Sequence, residues 1–281
     1  MRRFDVHQHL YPPALIEALR ARRETPRLDG DRLELREGSF PFDARAHDLA
    51  DRLAVLDDSG IDVAVISLPP TLETEEHPEL EAAYNESMGE VVAAADGRLR
   101  AFAAGACLEG FAGACVSAEA AVRGLGDLPA ELAAAGQVLF VHPGPPASLP
   151  PGAPPWWAAV VDYPAQMQAA YLAWLAGDAA CRPDLRAVFA ILGGGGPFQF
   201  ERLELRGPGP PAEARANAYL DTSSYGPRSL ELCLAACGAG RLVFGSDFPV
   251  LGVDATLRAV AELGDDVLAA VTSDNPAGLF P

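Results

Sequence analysis

The chain has 281 residues, 49% of them hydrophobic, and a formal net charge of −18 at neutral pH. That length and composition suffice for a large buried core, and barrels of eight β/α units commonly reach this size as one domain. The acidic balance excludes the basic patch that phosphate backbones and anionic membranes require, so nucleic acid and membrane partners are not expected and a small-molecule partner is.

Short apolar runs alternate with amphipathic or turn-rich stretches, the pattern of β/α units around a parallel sheet. In chain order, a strand is predicted at Phe4 to His7 and a helix at Pro13 to Arg23. A small hairpin over Arg27 to Leu35, turned at Asp29-Gly30, is inserted next. Helix Ala46 to Ser59, strand Val63 to Leu68, helix Glu79 to Ala95 and strand Leu99 to Ala104 follow. Only about ten residues separate that strand from the next, Ala114 to Ser117, which is short for a right-handed crossover, so one outer helix is expected to be missing. Strand Val138 to His142 runs into a proline- and glycine-rich stretch, Pro143 to Trp157, read as a long ordered loop over one barrel end. The remaining elements are helix Pro164 to Leu175, strands Ala187 to Leu192 and Ala218 to Asp221, helix Arg228 to Ala236, strand Leu242 to Gly245 and helix Asp254 to Leu263. These strands number eight, which suits a distorted TIM (β/α)8 barrel forming a single domain over residues 1–281.

The first residues meet charge before any apolar run could form a signal peptide, and no stretch of about 20 residues lacks charge and turn residues. A cytoplasmic protein is expected. The five cysteines, Cys107, Cys115, Cys181, Cys233 and Cys237, are scattered without a C-x-x-C pair and read as free thiols. All 21 basic residues are arginines. Without lysine there is no Walker A lysine, no Schiff base to pyridoxal phosphate and no carbamylated lysine bridging two metals, so any metal centre should hold one ion.

Candidate ligands for that ion lie at strand ends. His7 and His9 flank Gln8, and on an extended segment alternate side chains share one side, so two imidazoles can meet one cation. His142 ends Val138-Leu139-Phe140-Val141, and Asp247 follows Leu242-Val243-Phe244-Gly245-Ser246. Both places are where TIM-barrel catalytic groups sit. Each residue alone has an ordinary explanation, as a hydrogen-bonded strand-end histidine or a turn aspartate. Together they place ligand-type side chains at the first, fifth and eighth strand ends. Three imidazoles and a carboxylate suit Zn2+, with Mn2+ or Fe2+ as alternatives.

The motifs Asp5-Val6-His7-Gln8-His9, Val141-His142-Pro143, Leu192-Gly193-Gly194-Gly195 and Gly245-Ser246-Asp247-Phe248-Pro249 resemble, in this order, the amidohydrolase-related metal-dependent decarboxylases of the aminocarboxymuconate semialdehyde decarboxylase type. The resemblance covers nearly the whole chain. Asp57 to Asp62 and Asn275-Pro276-Ala277 are softer echoes of it. It implies a carboxy-lyase acting on a small aromatic or unsaturated carboxylic acid, with His7, His9, His142 and Asp247 as ligands of one divalent metal. It also implies a homodimer in which Arg202, eleven residues beyond the end of strand six, reaches the neighbouring subunit's site to bind substrate carboxylate.

One position departs from the family. Where a proton-carrying histidine usually closes strand six, this chain has Ile191. An isoleucine transfers no proton, which leaves Asp247 as the expected proton-transfer group. Arg228, after strand seven on the expected catalytic face, and Trp156, in the long loop, are further candidates for substrate binding; Arg202 also reads as half of an exposed Glu201-Arg202 ion pair on a helix, and Trp156, with Trp157, as an anchor for the loop or a subunit contact. The run Gly193 to Gly196 fails the dinucleotide fingerprint because its third glycine would fall on Phe198, so close backbone approach at the barrel rim is its expected role. A hydrolase of an amide or lactone, and a metal-binding barrel without catalysis, are the alternative functions. A serine hydrolase is excluded because no histidine follows His142.

Overall fold

A computed structural model describes the chain except residues 178–181, 183, 208, 210 and 211. Cys181 therefore lies outside the described residues; the other four cysteines are free. Eight parallel strands form one sheet in sequential order: β1 (Phe4–His9), β5 (Val63–Ser67), β6 (Leu99–Ala104), β7 (Gly113–Ser117), β8 (Val138–His142), β9 (Ala187–Phe189), β10 (Ala218–Asp221) and β11 (Leu242–Val243). The segment after β11 returns to β1, where Val6 N donates to Phe244 O at 2.8 Å and His9 N to Phe248 O at 2.7 Å, closing the barrel. Nearly every residue of these strands is buried, because helices cover the outside and side chains fill the inside.

Helices α1 (Pro13–Ala21), α2 (Leu49–Ser59), α3 (Pro78–Ala94) and α6 (Tyr163–Ala176) match their predicted places to within a few residues. In α2, Asp48 caps the first turn by accepting from Ala50 N and Asp51 N, and left-handed Gly60 ends the helix. The crossover between β6 and β7 contains no helix, as its length requires. Two short helices between β7 and β8, α4 (Ala118–Arg123) and α5 (Leu128–Ala135), were not predicted: alanine dilutes their apolar periodicity and Gly124 and Gly126 divide them.

Three strand assignments change. The predicted hairpin is a three-stranded antiparallel sheet of β2 (Arg27–Asp29), β3 (Arg32–Leu35) and β4 (Gly38–Pro41). Its last strand carries glycine and proline, which weaken the strand signal. β9 stops at Phe189, because Ile191 to Gly195 all adopt positive φ, from 46° to 74°, and wind into a left-handed turn. β11 is regular only over Leu242–Val243, although its pairing with β1 continues beyond.

Candidate metal site at the barrel mouth

β1 delivers the two histidines of its H-x-H together. Its register against β5 shifts between Asp5 and Gln8, a bulge that re-aims the end of the strand. Asp5, fully buried, holds this end in place: Oδ1 accepts from His7 N at 3.2 Å and Ser246 N at 3.0 Å, and Oδ2 from Gln8 Nε2 at 2.7 Å. Across the closure, Asp247 N donates to His7 O at 2.8 Å. Asp247 itself is left-handed at φ 65°, a conformation aspartate tolerates, and this turns its carboxylate back over the strand ends.

His7, His9, His142 and Asp247 come together with one donor atom each, all within 4.8 Å of one another. Asp247 Oδ1 lies 3.1 Å from His9 Nε2 and 3.5 Å from His7 Nε2. The three rings stand nearly perpendicular, at 82° to 84° to each other, with centroids 4.9 to 5.1 Å apart. Each Nδ1 has its own acceptor: Asp221 Oδ2 at 2.7 Å for His7, Ser67 O at 3.0 Å for His9 and Pro143 O at 2.9 Å for His142. In a neutral ring, donation from Nδ1 leaves Nε2 with a lone pair facing the cluster. His7 Nε2 and His9 Nε2 lie 3.2 Å apart, close enough for one divalent cation to bind both in place of a proton. The donor set fits such an ion.

The surrounding charges are arranged to match. Burial pulls the His7 imidazole down, but the Asp221 carboxylate more than offsets it and holds the group up at about 9. Burial, and then the neighbouring His7 and His9, push His142 well below the ordinary histidine range, so it is a neutral donor. Desolvation raises Asp5 despite its hydrogen bonds. Arg52 is fully buried in α2 and ties the other side of β1: it donates to Gln8 Oε1 at 2.9 Å, His9 O at 2.8 Å and Ala46 O at 2.7 Å, and its guanidinium lies 4.6 Å from the Phe248 ring centre. Burial lowers it to about 10.

Asp221 and Arg52 were missed in the sequence, yet each left a signal. Asp221 ends a predicted strand next to those carrying Ile191 and Asp247. Arg52 shares the buried face of α2 with Leu56, four residues on, where a lone charge needs a partner inside the protein.

The other sequence candidates are not among the buried groups of this cluster. Arg202, in the helix Phe200–Glu204, is exposed. Arg228, 89% exposed, pairs with Glu231 at 2.9 Å on its own helix, Pro227–Cys237. Trp156 is 54% exposed and stacks on Trp157. Ile191 keeps a backbone role: its N–H donates to Asp221 Oδ1 at 2.9 Å, alongside Ser223 N at 3.0 Å. The glycines behind it do permit close approach, since a Cβ on Gly194 would sit 1.9 Å from Pro164 O of α6. His47, outside the cluster, packs against both Tyr11 and Phe42, whose rings are 5.9 Å apart, and its Nδ1 accepts from Tyr11 N at 3.1 Å.

Fold and site together define a TIM barrel with a His/His/His/Asp donor set for a divalent metal at the C-terminal mouth. The family model described as amidohydrolase matches residues 4–281, and the chain belongs to that family. Among solved structures it is similar to IDCase of Metarhizium anisopliae in apo form (22% identity, TM-score 0.82, 99% of this chain and 97% of the other). It is also similar to 5-carboxyvanillate decarboxylase LigW of Sphingomonas paucimobilis (19%, TM-score 0.74, 99% and 98%). A third is dihydroxybenzoic acid decarboxylase of Polaromonas sp. JS666 with bound manganese and the inhibitor 2-nitroresorcinol (17%, TM-score 0.69, 99% and 96%). At these identities the likeness is one of fold. Comparison with curated proteins gave no match. Among the described residues, no helix is long and apolar enough to cross a membrane.

Proposed function

We propose that the protein is a metal-dependent carboxy-lyase releasing carbon dioxide from a small aromatic or unsaturated carboxylic acid. The observation that carries this reading is the convergence of three Nε2 atoms and one carboxylate oxygen, every Nδ1 being already satisfied. The decarboxylases among the structures of similar fold support it.

His7, His9, His142 and Asp247 would hold one divalent ion, zinc first and manganese or iron(II) as alternatives. When bound there, the ion supplies Lewis-acid polarisation of a substrate oxygen. Asp221 keeps the His7 ring oriented and its Nδ1 protonated. Arg52 fixes the carbonyl of His9 and the amide of Gln8. Asp247, whose side chain is 14% exposed, is the ionisable group of the four that faces the open side, and it moves the proton at its carboxylate oxygens. Ile191 presents no titrating side chain there. The protein acts as a homodimer, with Arg202 of the partner subunit binding the substrate carboxylate; a monomer in sedimentation at working concentration would remove that part.

The test is a panel of aromatic and unsaturated carboxylates, lactones and amides offered to zinc-, manganese- and iron(II)-loaded protein, with carbon dioxide, acid and amine release followed separately. Carbon dioxide from a carboxylate is expected. Hydrolysis of lactone or amide without it would make the protein a hydrolase, and no turnover would leave a metal-binding barrel without catalysis.

A further inference from the structure

The β3–β4 turn of the inserted sheet reaches two loops of the barrel mouth. Arg36 pairs with Glu73 and, at 3.2 Å, with Glu76, both beyond β5, the second barrel strand. The next residue, Glu37, accepts a hydrogen bond at Oε1 from the hydroxyl of Tyr163, at the start of α6 beyond β8, the fifth. Loops after the second and fifth strands leave the same end of the barrel, so residues 36 and 37 tie the inserted sheet to that end. The other carboxylate oxygen of Glu37, Oε2, is buried and has no hydrogen-bond partner among the described residues. The charges of both Glu37 and Asp247 act on the Tyr11 and Tyr163 phenols, which places the two carboxyls and two phenols in one neighbourhood.

We propose that Glu37 is a specificity-determining residue, a neutral carboxylic acid whose Oε2 hydroxyl donates a hydrogen bond to a ring oxygen of the substrate while Tyr163 holds its Oε1. The inference rests on the reading of the site as one for small carboxylic acids, and adds that the substrate carries a hydroxyl or carbonyl oxygen besides the carboxylate. A buried oxygen with no partner is costly, and a bound acceptor satisfies it. An ionised Glu37 could donate nothing from Oε2 and would repel an anionic substrate.

The surroundings of Glu37 shift its ionisation upward from the ordinary carboxylate range. Burial raises its pKa, the Glu73 carboxylate raises it further, and the Tyr163 hydrogen bond and the Arg36 guanidinium oppose them. Asp162 acts on the neighbouring Tyr163 phenol rather than on Glu37, and its Oδ2 is buried with no partner among the described residues. Tyr11, stacked on His47 just beyond β1, stays protonated.

Binding of benzoate and of the three monohydroxybenzoates to zinc-loaded protein, measured by calorimetry from pH 5 to 8, tests this without turnover. Wild type should bind at least one hydroxybenzoate about tenfold more tightly than benzoate, as one hydrogen bond to a buried group allows, and this preference should fade as pH rises. Glu37→Gln keeps a donor and should retain the preference at every pH. Glu37→Ala should bind all four alike. Absence of any preference in wild type, its persistence in Glu37→Ala, or its loss in Glu37→Gln each overturns the proposal. Binding with this pattern leaves Glu37 standing even where the wider panel gives no carbon dioxide and sinks the carboxy-lyase reading; failure to bind any of the four overturns the Glu37 assignment and leaves that reading to the panel.

Discussion

Asp221 Oδ2 accepts the Nδ1 proton of His7 at 2.7 Å, with both side chains fully buried. The Asp221 carboxylate is held in turn by the amides of Ile191 and Ser223 and by the Ser223 hydroxyl. Strands β9, β10 and β1 thus meet at one carboxyl group, and Gly245 leaves room for it, since a Cβ there would fall 2.8 Å from His7 Cβ.

From this follows the first prediction. Asp221→Asn keeps the shape but loses the charge, and its amide can turn a donor toward Nδ1, which would reverse the His7 tautomer. Metal affinity should fall about 10- to 100-fold, the usual effect of removing an acceptor behind a ligating histidine. Competition against a chelator of known affinity measures it. Unchanged affinity would mean that His7 is oriented by packing alone.

Gly194 makes a prediction about the rim. An alanine there would meet Pro164 O at 1.9 Å and Gln168 N at 2.6 Å, and would have to hold φ at 59°. The conformational cost is about 1 to 2 kcal/mol, and displacing the first turn of α6 adds about 1 to 3 kcal/mol. Urea unfolding of Gly194→Ala should show a loss of that combined size, whereas Gly89→Ala, on the helix Pro78–Ala94 with nothing within 4 Å among the described residues, should lose far less.

How far the sequence carried these conclusions depends on what kind of signal each feature leaves. Barrel strands buried on both sides leave continuous apolar runs, so all eight were legible, and so were the ligand-type residues at their ends. The end of β9 was not, because Ile191-Leu192 extends the apolar run while the backbone has already turned left-handed, a conformation that residue types alone predict only for glycine. Arg52 and Asp221 were missed because their partners lie 44 and 214 residues away in sequence. Glu37 left no signal in the sequence, since only the turn between β3 and β4 and the start of α6 bring it against Tyr163.

His47 gives a pH prediction. Burial, and then the charges of Arg52 and His9, lower its pKa from 6.5 to about 3. Between those values the unfolded chain takes up a proton that the folded chain refuses. Its contribution to stability is therefore full above pH 6.5 and is lost as pH falls toward 3. The slope is about 1.4 kcal/mol per pH unit for one proton. His47→Asn retains an acceptor near the position of Nδ1 but does not titrate, so its unfolding free energy should depend on pH less steeply in this window, by about one proton. Equal slopes for the two proteins would show that His47 does not carry the effect.

Asp247 gives the last prediction. Its Oδ1 lies against both H-x-H imidazoles, and its backbone is fixed by Asp247 N donating to His7 O, so Asn at this position would occupy the same place. An amide oxygen can still approach a cation but is neutral and takes no proton. With an aliphatic side chain at Ile191, the site offers no imidazole that is free of ligand duty, and His47 is committed to Tyr11 N. Asp247→Asn should therefore bind metal more weakly and, at metal concentrations that restore occupancy, still lose about 10²-fold or more in turnover, the range that a proton-transfer group contributes. Turnover by a fully loaded Asp247→Asn protein at the wild-type rate would require another route for the proton. The companion variant is Ile191→His. Its backbone N–H would keep the bond to Asp221, and histidine accepts φ near 46° more readily than a β-branched residue does. That protein should fold, and combined with Asp247→Asn it should recover part of the lost turnover, with a new dependence on pH near the histidine range. No recovery, in a double variant shown to bind metal, would mean that the end of strand six has no part in moving the proton and that Asp247 serves as both ligand and proton carrier without a substitute.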